Sequence, residues 1–240
     1  MKVLLLGASG ATGKLVGLQL LKKGINLKAV IRQNSVLPQE LLNTSLVEII
    51  RGNITEFNPA EISGLIADCE AVVSCLGHNI TLKGMFGQPH FLVSDTLKAV
   101  SQAITARANH KTKLILMSTT AFTNHGAGEK NTFGEGVIFS ILKAVLPPHH
   151  DNMKAANYLI NEIGDKIEWV AVRPDSLFNE DKESPYTVVG SPTRSPLFNA
   201  GRTSRINVSH FMSQLLTTAE LWQEWKFKTP VIYNEESWKK

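Results

Sequence analysis

The sequence predicts an α/β fold: a doubly wound parallel β-sheet with helices on both faces. Three observations carry this. Short apolar, β-branched runs alternate with segments of helical period along nearly the whole chain. One run, "EAVVSCLG" at 70–77, is almost continuously apolar, as a strand covered on both faces must be. The first strand also leads straight into glycines spaced three apart, "GASGATG" at 7–13, where a helix begins.

The elements follow in order. "KVLLLG" (2–7) is the first strand, and a helix over 11–23 sets Leu15, Leu18 and Leu21 on one face. "NLKAVIR" (26–32), "LVEIIRG" (46–52) and "EAVVSCLG" (70–77) are the next three strands. Val93, Leu97, Val100 and Ile104 recur at 4-3-4 spacing, which predicts a helix over 91–108. "KLILMSTT" (113–120) is a fifth strand, and "MKAANYLINEI" (153–163) is helical through Ala156, Leu159, Ile160 and Ile163. "IEWVAVRP" (167–174) is a sixth strand ended by proline. A helix over 208–221 and the strand "TPVIYN" (229–234) come last.

Residues 1–240 thus read as one domain without internal repeats or a polar linker. Two insertions, at about 121–150 and 175–207, follow the carboxyl ends of strands, where substrate determinants usually sit. They predict a small substrate-side lid. Phe122, Phe139, Phe178 and Phe198 within them offer stacking surfaces or simple packing.

Bulk properties exclude several classes. The chain is 43% hydrophobic and 19% charged, with a formal charge of +4. Its Lys and Arg residues are scattered, so no nucleic-acid arm is expected, while a weak basic bias suits an anionic cofactor. No stretch approaches the roughly 20 apolar residues of a membrane span, and "VLLL" is shorter than a secretory core. Two cysteines, Cys69 and Cys75, form no disulfide framework, which fits a reducing cytoplasm. With His78 they would still lack a fourth zinc ligand, so no metal is expected. There is no G-x-S-x-G elbow, and Leu15 stands where a Walker motif needs Ser or Thr.

The glycine stretch carries the chemistry. Gly7 permits a tight turn, Gly10 lets a pyrophosphate approach the backbone, and Gly13 allows close helix–strand packing. The N–H groups from Ser9 through Ala11 and Thr12 to Gly13, with the positive helix end, would hold a diphosphate. The bland reading is a plain strand-to-helix turn; the five further strands favour the Rossmann-like nucleotide site. At the end of the second strand, Arg32 stands where NAD sites place an acidic residue, and no Asp or Glu occurs before Glu40. A guanidinium there would meet a ribose 2′-phosphate with paired, charge-assisted hydrogen bonds, helped by Ser9 and by Gln33 or Asn34. NADP(H) is therefore expected over NAD(H), against the alternative of a solvated strand-end arginine.

"GASGATGK", "AVIRQNSVLP", "RGNITE", "VVSCLG", "LMSTTAF", "HHDNMKAANYLI" and "WVAVRP" together resemble the atypical short-chain dehydrogenase/reductases. The likeness is greatest to the NmrA-like group that contains biliverdin-IXβ reductase and flavin reductases. It covers about 1–215 and is weakest at 121–150 and the C-terminal tail. It implies that Asn53 and Ile54 border the adenine, and that Cys75, Leu76 and Gly77 follow the ribose and diphosphate. Thr119 and Thr120 would sit beside the nicotinamide, with Pro174 nearby. The wider superfamily places Tyr-x-x-x-Lys on the helix that here reads His150-Asp151-Asn152-Met153-Lys154. Lys154 is in register, but histidine replaces tyrosine. His150 is then either a proton donor or a surface residue of the "PPHH" turn.

Loss of the tyrosine weakens ketone or alcohol chemistry. Reduction of a flavin or other conjugated acceptor demands less, because the acceptor delocalises charge and solvent can supply the proton. The expected protein is an NADPH-dependent reductase with a flavin as substrate rather than bound cofactor, acting as a monomer or homodimer. The alternatives are an NADP(H)-binding redox sensor without turnover, and an epimerase or dehydratase of the same superfamily. The role of Trp222, Trp225 and Trp238 is open between covering the sheet edge and meeting a neighbour.

Overall fold

Val3 and Leu5 of strand β1 (Lys2–Leu6) face one side of the sheet, Leu4 and Leu6 the other, and none is more than 1% exposed. Side chains alternate along a strand, so an unbroken apolar run is stable only between two covering layers. In the computed structural model, which describes residues 1–78, 87–107 and 112–235, both layers are present. Seven strands run parallel: β1, β2 (Asn26–Ile31), β3 (Val47–Arg51), β4 (Ala71–Ser74), β5 (Lys113–Met117), β6 (Trp169–Pro174) and β10 (Val231–Asn234). With β8 (Tyr186–Val189) antiparallel at one edge, the order is β3-β2-β1-β4-β5-β6-β10-β8. This is the Rossmann-like doubly wound arrangement.

One layer holds α1 (Gly13–Lys22), α2 (Gln39–Leu42), α7 (Arg205–Thr217) and α8 (Ala219–Trp225), through Val16, Leu20, Leu41, Phe211, Leu215 and Trp222. The other holds α3 (Pro59–Ile66), α4 (Leu92–Thr105) and α6 (Pro147–Tyr158), through Leu65, Val93, Leu97, Val100, Ile104 and Ala155.

The face that α1 buries differs from the expected one. Gly13, Val16, Gly17 and Leu20 face the sheet, while Leu15, Leu18 and Leu21 are less buried. The reason is steric. A Cβ on Gly17 would lie 3.1 Å from a Leu41 methyl and 3.3 Å from one of Leu5. The glycines mark the line of closest approach, and an apolar count cannot see them.

The "PPHH" stretch also differs from a surface turn. Pro147 opens α6, where its fixed φ and missing N–H suit the first helical position, and a π-helical turn over Leu159–Ile163 continues the helix. Before it, α5 (Phe133–Val145) starts at a capping box: Thr132 Oγ1 accepts from the Glu135 N–H, and the Glu135 carboxylate accepts from the Thr132 N–H. The 175–207 segment carries structure that no sequence pattern announces. β7 (Ser176–Phe178) pairs with β9 (Arg202–Ser204), and β8 joins the main sheet through β10. The two insertions touch each other, since Ser195 Oγ donates to Glu135 and Gly134 lies beside the Phe198 ring.

Trp222 and Trp225 belong to the core, and the Trp222 indole donates to Glu168 at 2.7 Å. Trp238 lies outside the described residues.

Candidate functional site: a dinucleotide cleft at the switch point

β1 has β2 on one side and β4 on the other, and the chain crosses the sheet in opposite senses from that point. Crevices for ligands open at such reversals, beyond the carboxyl ends of the strands. Here the crevice is a cavity of about 320 Å³. Gly7, Ser9 and Gly10 line it after β1, Arg32 after β2, and Asn53 and Ile54 after β3. Cys75, Leu76, Gly77 and His78 line it after β4, joined by Pro89 ahead of α4 and by Leu92 at its start.

The loop between β1 and α1 is built from its glycines. Gly7 has φ +78°, and a Cβ on it would lie 2.7 Å from the Cys75 carbonyl oxygen. The Gly10 N–H donates to the Gly7 carbonyl at 2.9 Å, and a Cβ on Gly13 would collide with that same carbonyl. Thr12, ahead of α1, makes no side-chain capping hydrogen bond. The Lys14 N–H donates to the Gly10 carbonyl at 3.0 Å, the Thr12 side chain satisfies none of the first-turn N–H groups, and a diphosphate fits this positive helix end. Ala11, Thr12 and Gly13 do not line the cavity themselves; Ala11 is exposed, and Thr12 and Gly13 are buried beneath the loop.

At the other end, Arg32 is exposed and lines an adjoining depression with Gln33, Asn34, Ser35, Asn53 and Glu56. The depression is held in shape from below: Arg51 Nη1 donates to the carbonyls of Gln33 (2.8 Å) and Ser35 (3.2 Å). Glu56 escaped the sequence reading because an acid is expected at the end of the second strand, not after the third. Its carboxylate accepts from Asn53 Nδ2 at 2.9 Å. Burial pushes the Cys75 thiol up to about 12, so at neutral pH it is an uncharged wall and not a nucleophile.

The structure does not bring the remaining candidates to this cavity. Thr119, Thr120 and Pro174 stand at the ends of β5 and β6, where the Thr120 N–H donates to the Pro174 carbonyl at 3.3 Å. His150 and Lys154 line a separate groove between α4 and α6 with Asp95, Lys98 and Lys143. There Lys154 Nζ lies 4.1 Å from the centre of the Phe91 ring, and His150 meets the same ring edge-on. For His150 the physical reason is helical phase: α6 turns its Asp151 inward, and the adjacent position then points about 100° away. Among the described residues, none of Phe122, Phe139, Phe178 and Phe198 lines the cavity; Phe122 and Phe139 are buried.

Two residues that the sequence reading did not assign to the site meet at its β4 end. Asp151 is fully buried and accepts from His78 Nε2 (2.8 Å) and from the backbone N–H groups of Val93 (2.8 Å) and Ser94 (2.9 Å). Burial opposes its charge, but these hydrogen bonds outweigh burial and hold the carboxyl below the ordinary range. Glu129 behaves alike: burial is outweighed by its hydrogen bonds with Arg173 and with the Asn124 N–H. Both carboxyls are depressed in the folded chain, so the unfolded chain binds more protons in acid. Their stabilisation is complete above the unfolded values and is lost as pH falls below about 4 through the folded ones. Urea midpoints should hold between about pH 7 and 5 and drop below about pH 4, with Asp151→Asn showing a flatter acid limb. A midpoint that rises on acidification would refute the assignment.

Comparison with known proteins agrees with this geometry. The sequence family described as NAD(P)H-binding matches residues 7–219. No protein of curated function matches the chain in sequence. Among solved structures, a short-chain dehydrogenase/reductase from Veillonella parvula in complex with NADP is 17% identical, with 98% of this chain and 95% of that chain covered and a TM-score of 0.69. A candidate NAD-dependent epimerase/dehydratase from Bacillus halodurans is 18% identical (98% and 94% covered, TM-score 0.71). A candidate NADH-flavin reductase from Streptococcus pneumoniae is 15% identical (98% and 100% covered, TM-score 0.69). At such identities the likeness is one of fold.

Proposed function

Because this chain belongs to the NAD(P)H-binding family, we propose that it is an NADPH-dependent reductase passing a hydride to a flavin or a similarly conjugated small acceptor. The observation that carries this reading is the continuous cleft from Arg32, past the glycine loop, to His78. The strand order supports a polarity in which adenosine would lie over β2 and β3, the diphosphate at β1 and the reactive end beyond β4. Asn53 and Ile54 would border the adenine, and the backbone of Gly7 to Gly13 would hold the diphosphate. When bound, a reduced nicotinamide supplies the hydride.

The chain's own contribution is to orient the two reactants and exclude water. No tyrosine lines the cavity among the described residues, and Lys154 faces another groove. Such a site suits an acceptor that spreads its own charge. The insertions would cover the acceptor: they contact each other through Ser195 and Glu135, and Arg173 ties the first of them to β6.

Arg32→Ala tests the cofactor preference. Loss of charge-assisted bonds to a 2′-phosphate should weaken NADPH by about 10–100-fold and leave NADH nearly unchanged. A specific observation favours a second reading, NAD(H): Glu56 stands in the same depression and could accept from a ribose hydroxyl. Equal losses for both nucleotides in Arg32→Ala would support that reading instead.

Turnover is tested by mixing protein, NADPH and FMN or FAD and following absorbance of the reduced nicotinamide. Oxidation well above the protein-free rate is expected. Tight binding with no oxidation by flavins or quinones would replace the reductase with a redox sensor.

A further inference from the structure

We propose that His78 is the acid that protonates the reduced acceptor and that Asp151 is the positioning residue that holds its ring for this transfer. The proposal rests on the reductase reading above and names the group that completes that reaction.

Placement comes first. His78 follows β4, on the far side of β1 from Arg32 and Asn53, so it borders the reactive end of the cleft. The residue lines the cavity, with its side chain 5% exposed. Among the described residues lining that cavity, the titratable side chains are Arg32, Cys75 and His78. A guanidinium does not release its proton, and the Cys75 thiol is pushed up to about 12. The imidazole of His78 is the remaining group that can carry a proton on one ring nitrogen and release it.

Orientation comes second. An ionised carboxylate only accepts, so the Nε2 atom facing Asp151 carries the hydrogen and Nδ1 is the exchanging nitrogen. Asp151 is itself fixed by the N–H groups of Val93 and Ser94 at the start of α4, and it reaches them from α6. The ring is thus tied to two helices of the layer beneath it. A helix cap alone would need only those two N–H bonds; the third bond goes to the side chain of a residue that lines the cleft.

The step balances. Hydride transfer reduces the acceptor by two electrons and oxidises the nicotinamide, leaving negative charge on the acceptor. The Nδ1–H bond of the imidazolium breaks as a bond to an acceptor nitrogen or oxygen forms. His78 is left neutral, with Nε2–H still on Asp151, and solvent returns the proton to Nδ1.

The test uses the full chain with three variants. His78→Gln keeps an amide donor for Asp151 but cannot exchange a proton; it should bind NADP+ within about 3-fold of the unaltered protein by calorimetry and oxidise NADPH with FMN about 100-fold more slowly. His78→Gly should lose turnover likewise and recover part of it when imidazole is added, a rescue that a purely structural histidine would not show. Nitrogen-15 NMR of the unaltered, cofactor-free protein should place a hydrogen on His78 Nε2, and Asp151→Asn should change that tautomer balance. Unchanged FMN turnover in His78→Gln, no imidazole rescue, or a bare Nε2 would each overturn the proposal and leave the reductase reading intact. An unaltered protein that binds NADPH but reduces no acceptor would overturn both.

Discussion

Gly13→Ala should abolish measurable dinucleotide binding and lower stability. The added methyl has no free volume: it would meet the Gly7 carbonyl, the same oxygen that accepts from the Gly10 N–H and closes the loop. Relief requires α1 to move away from β1 or the loop to open. Either displaces the N–H groups that would hold the diphosphate. Overpacking of this kind costs on the order of 1–3 kcal/mol of stability. Loss of two or three hydrogen bonds to a charged group removes about a hundredfold or more in affinity. Calorimetric titration with NADP+ and a urea melt read the two effects separately. Gly24→Ala is a useful contrast, because nothing lies near its Cβ position and its strain, from φ +68°, is local to the end of α1. It should lose some stability but no affinity. Wild-type affinity in Gly13→Ala would mean the glycine loop is not the phosphate cradle.

The largest stability effect should come from Glu129→Ala. Arg173 is fully buried in β6 and is bound by Glu129 through two bonds, Nη2 to Oε1 at 2.6 Å and Nη1 to Oε2 at 2.8 Å. Its other donors go to the carbonyls of Thr229 (2.7 Å), Phe122 (3.0 Å) and Gly190 (3.3 Å). Removing the carboxylate leaves a charged guanidinium in the interior without a counter-ion, which costs about 3–5 kcal/mol. For a chain of this size that corresponds to a fall in Tm of about 10 °C. The pair Arg173→Met with Glu129→Leu should cost much less, because no unpaired charge remains. A loss below about 1 kcal/mol in the single variant would show that water reaches the site. Since Glu129 lies in the first insertion, the variant should also loosen that segment, visible as faster amide exchange around Phe122 and Asn124.

Much of this molecule can be read from local patterns. β1, the glycine loop and the Arg32 position lie close together along the chain. Continuous apolar runs report strands covered on both faces whatever the helices above them do. The parts that escaped depend on distant partners or on small residues. α1 turns its glycines to the sheet, which no count of leucines reveals. β7, β8 and β9 are three or four residues each, too short to carry a period, and β7 and β8 pair with segments far along the chain.

His78 and Asp151 are 73 positions apart, and neither type nor spacing announces their bond. His150 drew attention because a family motif lies in register there, but register along a helix does not fix phase against a cavity. One position further along α6 points inward. The expectations for Thr119, Thr120 and Pro174 came from resemblance alone, and in this chain those residues stand at the ends of β5 and β6 and are not among those lining the cavity.

The central claim is that this cleft takes a dinucleotide with its adenosine end at Arg32 and its diphosphate on the glycine loop. Titration of the unaltered protein with NADP+ and NAD+ by calorimetry tests it most directly. The account predicts saturable one-to-one binding of NADP+, at least about tenfold tighter than NAD+. Absence of binding heat for both nucleotides across a range of temperatures would contradict it.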